Sequence, residues 1–67
     1  MSEIIIRRFT RSAISEMSEY PFVAMHERSL QQVEWDQYTD TLNFVFVDQD
    51  WLILILKYPE LAGAHID

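Results

Sequence analysis

Hydrophobic and polar positions divide this chain into short stretches with different periods. Ile4-Ile5-Ile6 is a β-branched triplet, and the segment running to about Phe9 predicts a strand. Thr10 or Ser12 then offers a cap oxygen for a short helix. Within it Ala13, Ile14, Met17 and Tyr20 recur at helical spacing, while Ser12, Ser15, Glu16 and Glu19 supply a polar side. Pro21 is expected to end that helix, because it has no N–H to donate and biases Tyr20 away from helical angles. Phe22 to His26 follows as a candidate strand.

Residues 29–38 read two ways. Ser29-Leu30-Gln31-Gln32 has the serine and glutamine of a capping box, which points to a helix. Gln31, Val33 and Trp35 alternate with Gln32, Glu34 and Asp36, which points to a strand. The following residues favour the strand. Asp36-Gln37-Tyr38-Thr39-Asp40-Thr41 is rich in turn-forming side chains, and Leu42, Phe44 and Phe46 then alternate with Thr41, Asn43, Val45 and Val47. Asp48-Gln49-Asp50 reads as a second turn, leading into Trp51 through Leu56 and ending before Pro59. Residues 31–57 therefore predict a three-stranded antiparallel meander. The expected fold class is α+β: a small single domain over residues 1–67, mostly antiparallel sheet, built from that meander, the N-terminal strand and one short helix.

The stretch Asp36…Thr39-Asp40-Thr41-Leu42, followed by alternation and a polar turn, resembles the strand–turn–strand of small KTSC-type domains. The resemblance covers roughly a third of the chain and lacks the proline and glycine of those turns. It implies a meander and carries no activity with it.

The run Trp51-Leu52-Ile53-Leu54-Ile55-Leu56, read as a strand, is apolar on both faces. Trp51, Ile53 and Ile55 form one and Leu52, Leu54 and Leu56 the other, so both need cover. The helix and a bent first strand could supply it, or one face could meet a second copy or a partner protein. Size adds to the case for association. A chain of 67 residues without cysteine is small for a self-sufficient core, and disulfides cannot staple it. A homodimer or a partner complex is the expectation.

Charge is distributed unevenly. Residues 1–28 set four arginines against four glutamates, whereas residues 29–67 set Lys57 alone against seven carboxylates, and these carry the whole net charge of −6. An acidic field repels phosphate backbones, which disfavours direct nucleic-acid or anionic-membrane binding through that part. It suits a basic partner. The longest apolar run is far short of the roughly 18 residues of a membrane helix. With no signal-like N-terminus, a cytoplasmic protein is expected.

Candidate chemistry is sparse. Asp36 and Asp40 fall at one expected turn and Asp48 and Asp50 at the other, about 20 Å apart along the middle strand, too far for a carboxylate pair. Neither turn has the ligand spacing of a calcium loop. His26 and His65 lack the neighbours of a metal site, and one glycine leaves no phosphate loop or nucleophile elbow. No cofactor, metal or catalytic residue is expected. Arg7 and Arg8 point to opposite faces of a strand and cannot form one phosphate clamp. The function expected is a non-enzymatic, acidic protein-binding module. In composition it resembles the inhibitors with which phages and mobile elements block basic, nucleic-acid-handling proteins. The alternative is an accessory subunit that associates through the apolar strand. The candidate contact residues are Glu34, Asp36, Asp40, Asp48, Asp50, Trp51, Ile53 and Ile55.

Overall fold

The computed structural model describes residues 2–31 and 33–66. Its elements are β1 (Ile4–Thr10), α1 (Arg11–Glu16), α2 (Glu19–Arg28), β2 (Glu34–Asp36), β3 (Thr41–Val47), α3 (Asp48–Lys57) and α4 (Glu60–Ala64). The three strands form one antiparallel sheet in the order β1-β3-β2. The α+β class expected from the pattern is the class observed, with four short helices in place of one.

β1 alternates as its sequence predicts. Ile5, Arg7 and Phe9 lie opposite Phe46, Phe44 and Leu42 of β3, which sets them on the core side of the sheet. Ile4, Ile6 and Arg8 take the other side. Thr10 ends the strand and caps α1, its Oγ1 accepting from the Ala13 N–H at 3.1 Å.

Pro21 does not stop a helix; it sits in the first turn of one. α2 starts at Glu19, so Pro21 is its third residue, where an N–H has no partner within the helix. The carbonyl its ring would strike belongs to Met17, and Met17 is extended rather than helical. The expected helix therefore breaks at Met17, and the strand expected at Phe22–His26 is helix instead. Pro21 and Met25 are buried on its inner face. Its last turn returns the chain to the sheet, the Leu30 N–H donating to the Val45 carbonyl at 2.7 Å.

The β2–β3 hairpin of the expected meander forms, with Trp35 opposite Leu42 and Asp36 opposite Thr41, but its first strand is shorter than expected and covers only Glu34–Asp36. Gln32, on which part of the capping-box reading rested, lies outside the described residues. Asp36 Oδ1 accepts from the N–H groups of Tyr38 and Thr39, at 3.0 and 3.3 Å. Asp40 closes the turn at φ 56°, a left-handed conformation that aspartate tolerates, so the hairpin forms without glycine.

The third strand of the meander is not a strand. Residues 48–57 form α3, which leaves β3 with no second turn. Leucines at 52, 54 and 56 are good helix formers, Asp48 and Asp50 sit at the positive end of the helix dipole, and Lys57 sits at the negative end. Trp51, Leu54, Ile55 and Tyr58 recur at i, i+3, i+4 and i+7, and this stripe meets the sheet. Pro59 follows the helix, and Leu61 of α4 closes the core.

The buried centre consists of Phe9, Met25, Phe44, Phe46, Trp51, Leu54 and Leu61. Phe44 and Phe46 stack at 5.9 Å, Phe9 meets Phe44 edge-on at 5.6 Å, and Trp51 lies 5.7 Å from Phe46. Arg7, on the same side of the sheet, places its guanidinium carbon 5.3 Å from the Trp51 ring centroid. Such a contact stabilises by roughly 0.5–2 kcal/mol, depending on how far the cation is desolvated.

The helix and the expected strand assign different values to Leu52 and Leu54. On a strand the two share a face; on α3, Leu54 is buried and Leu52 is 54% exposed. Leu54→Ala should cost about 2–5 kcal/mol in urea unfolding, and Leu52→Ala no more than about 0.5 kcal/mol. Comparable losses at both positions would contradict α3.

Candidate interaction surfaces

α3 is apolar around most of its circumference, yet the molecule covers only one side of it. Leu52, Ile53 and Leu56 face outward at 54%, 44% and 81% exposure. Beside Ile53 lie Tyr20 and Val23 of α2, which share with it the groove between the two helices. On α2, Glu19 and Glu27 stand one turn to either side of Val23, and on α3 Asp48 precedes Leu52 by one turn. Lys57 lines the groove, and Arg28 is bonded to Asp50 at 3.3 Å. The patch is thus apolar with a mainly acidic border.

The carboxylates expected to act together are divided between two ends of β3. Glu34 and Asp36 lie on β2, and Asp40 lies in the adjoining turn, 3.2 Å from Arg11. Asp48 and Asp50 occupy the first turn of α3, at the opposite end. Two arginines from the balanced first part thereby neutralise two aspartates of the acidic second part. Arg11 also lies over the Trp35 ring at 4.4 Å, which fixes its guanidinium beside the hairpin turn.

Of the expected apolar contacts, Trp51 is buried in the core, Ile55 is half-buried against it, and Ile53 alone is exposed. Their period-two face does not exist on a helix. Leu52 and Leu56, absent from the expected set, are the exposed neighbours of Ile53. The signal for them was the 3.6-residue spacing of Trp51, Leu54, Ile55 and Tyr58, which leaves Leu52 and Leu56 on the opposite side.

A second surface is the side of the sheet away from the core, where Ile4, Ile6, Arg8 and Glu34 are exposed and Asn43, Val45 and Val47 of β3 are half-buried. Ile6, Arg8, Asn43, Val45 and Glu34 border one shallow hollow there. His26 stacks edge-on with Phe22 at 4.5 Å, and His65 with Trp51 at 5.3 Å. Among the described residues, no three potential ligands gather into a metal cluster, and no helix is long and apolar enough to cross a membrane. A hollow of about 460 Å³ between α1 and α4 is bordered by Ser12, Glu16 and Glu60, with neither histidine on its wall.

Comparisons with protein-family models, curated proteins and solved structures find no match to this chain.

Asp36 is the described group whose acidity the hairpin visibly changes. The Thr39 backbone N–H is the chief cause, then the Thr39 side chain, the Tyr38 N–H and the nearby positive charge of Arg8, all holding the carboxyl below its ordinary value of 3.8. Because the folded carboxyl is the stronger acid, its contribution to the hairpin is complete above the unfolded value and is lost as pH falls through the folded one. Carbon-detected NMR titration should place the Asp36 midpoint below 3.8. A midpoint at or above that value would show that the turn does not favour the carboxylate.

Proposed function

We propose that this protein is a non-enzymatic protein-binding module whose contact surface is the outer side of α3 together with Tyr20 and Val23 of α2. One observation carries the reading: α3 is apolar on both sides and buries only one. Helices apolar all round are ordinarily enclosed, and five large apolar side chains grouped on a small surface mark a place where another protein sits.

The occupant that suits this surface is a basic protein. Glu19, Glu27 and Asp48 border the apolar centre, and the chain as a whole carries −6. That field steers a positively charged partner towards the patch, and apolar burial then retains it. A nucleic-acid-handling protein is the partner class that this charge favours. Occupying its basic surface would make the chain an inhibitor, in the manner of small phage and mobile-element proteins. The second reading, an accessory subunit of a larger assembly, uses the same apolar face without the steering.

The test is quantitative binding to a basic protein captured from the native host, using the wild type and Leu52→Gln/Leu56→Gln. The double variant should bind at least about tenfold more weakly while remaining folded, since neither side chain belongs to the core. Raising salt should slow association. A loss on Leu52→Gln/Leu56→Gln with salt-independent association would select the accessory subunit. Unchanged affinity in that variant would overturn the assigned surface.

A further inference from the structure

A separate surface, the open side of the sheet, has a pattern that matches itself. The strand register arranges it in rows. Ile4 lies opposite Val47, Ile6 opposite Val45, and Arg8 opposite Asn43, whose other neighbour is Glu34. Ile66 extends the charged row beyond β1 through a bridge to Arg8, its N–H donating to the Arg8 carbonyl at 2.8 Å. One end of the face is therefore apolar. Across the next row a cation stands on one outer strand and an anion on the other, with β3 between them.

We infer that this face pairs with a second copy of the chain, the two sheets stacking about a two-fold axis that runs parallel to β3. The charge order decides the occupant and the axis together. Rotation about a line parallel to the central strand lays β1 of one copy over β2 of the other and keeps every row at its own level. Arg8 then meets Glu34 of the second copy, and Glu34 meets its Arg8, so two charge pairs form at once. Val45 and Val47, nearest the axis, meet their own equivalents across the interface. Ile4 and Ile6 lie over the flank of β3 where Leu30 is bonded to Val45. At full overlap, an in-plane axis at right angles to the strands would instead set the Ile4–Val47 row against Thr10, Thr41 and Asp36, and the Ile6–Val45 row against the charged row.

The face is small. Two strands of seven residues and one of three, about 4.8 Å apart and rising about 3.4 Å per residue, fill less than a rectangle of roughly 24 by 14 Å. This is less than the roughly 800 Å² per partner of a standard interface, so the pairing is concentration-dependent, with a dissociation constant in the micromolar range or weaker.

The experiment is sedimentation equilibrium of the full chain from about 1 μM to about 1 mM, with Arg8→Glu, Glu34→Arg, and an equimolar mixture of the two. The wild type should pass from monomer to dimer. Each single variant sets like charges against each other and should weaken self-association at least about tenfold. The mixture should recover the dimer. In a heterodimer of the two variants, the glutamate introduced in one faces the arginine introduced in the other, and the native Glu34 of the first faces the native Arg8 of the second. Both charge pairs are thereby restored. Circular dichroism on each variant verifies folding, as Arg8 and Glu34 are exposed. A wild type that stays monomeric throughout, or a mixture that fails to associate, overturns the inference. Loss of the dimer in Leu52→Gln/Leu56→Gln also overturns it, by moving self-association to the helical patch. Binding of a basic partner through that patch is measured independently, so either proposal can fail alone.

Discussion

The fold depends on the docking of Trp51 into the aromatic surface made by Phe9, Phe44 and Phe46. Those three side chains come from two strands that must be in register before the surface exists, and Trp51 comes from the helix that follows directly. Closing this contact fixes the rotation of α3 about its axis. Leu54 is then buried and Leu52 and Leu56 point away, so the exposed apolar patch is a consequence of the same contact that forms the core. Arg7 reports on it as well. A cation on the core side of a strand is costly to desolvate, and the indole face is among the groups that offset that cost.

Charge acts on a different scale. Arg11–Asp40 and Arg28–Asp50 link residues far apart in sequence, but the groups are largely or partly exposed, and such pairs contribute about 0–1 kcal/mol each. Their larger effect is on the surface that remains. Neutralising Asp40 and Asp50 leaves Glu34 and Asp36 on the open sheet and Asp48 beside the α3 patch. These carboxylates consequently form two small borders on two faces, each adjoining apolar side chains, while Glu60 stands apart at the hollow between α1 and α4.

β1 and the β2–β3 hairpin were legible because their signals are local. Alternation survives in Ile5, Arg7 and Phe9 and again in Leu42, Phe44 and Phe46, and Asp36 and Asp40 supply the turn chemistry themselves. Pro21 misled because its effect depends on whether it falls inside a helix or in the first turn, and that is decided by Met17 and Ser18 upstream. Trp51–Leu56 misled for a different reason. An unbroken apolar run has no period of its own, so strand and helix both fit it. The deciding evidence lay at its ends, in Asp48 and Asp50 before it and Lys57 after it, and in Tyr58 completing the stripe. The burial of Phe44 and Leu54 follows from either reading. Thr41, by contrast, is buried at 3% exposure and is bonded to Thr39 at 2.8 Å, although alternation assigns it to the polar side. At a strand's first residue, the adjoining turn decides exposure.

Residues 48–57 form a helix laid on the sheet through Trp51. Proton NOE spectroscopy on the isolated chain tests it most directly. The helix requires Hα(i)–HN(i+3) contacts through Asp48–Lys57, together with contacts from the Trp51 indole to the rings of Phe9 and Phe46. Cross-strand Hα–Hα contacts between Thr41–Val47 and Trp51–Leu56, with no i to i+3 series, would contradict it.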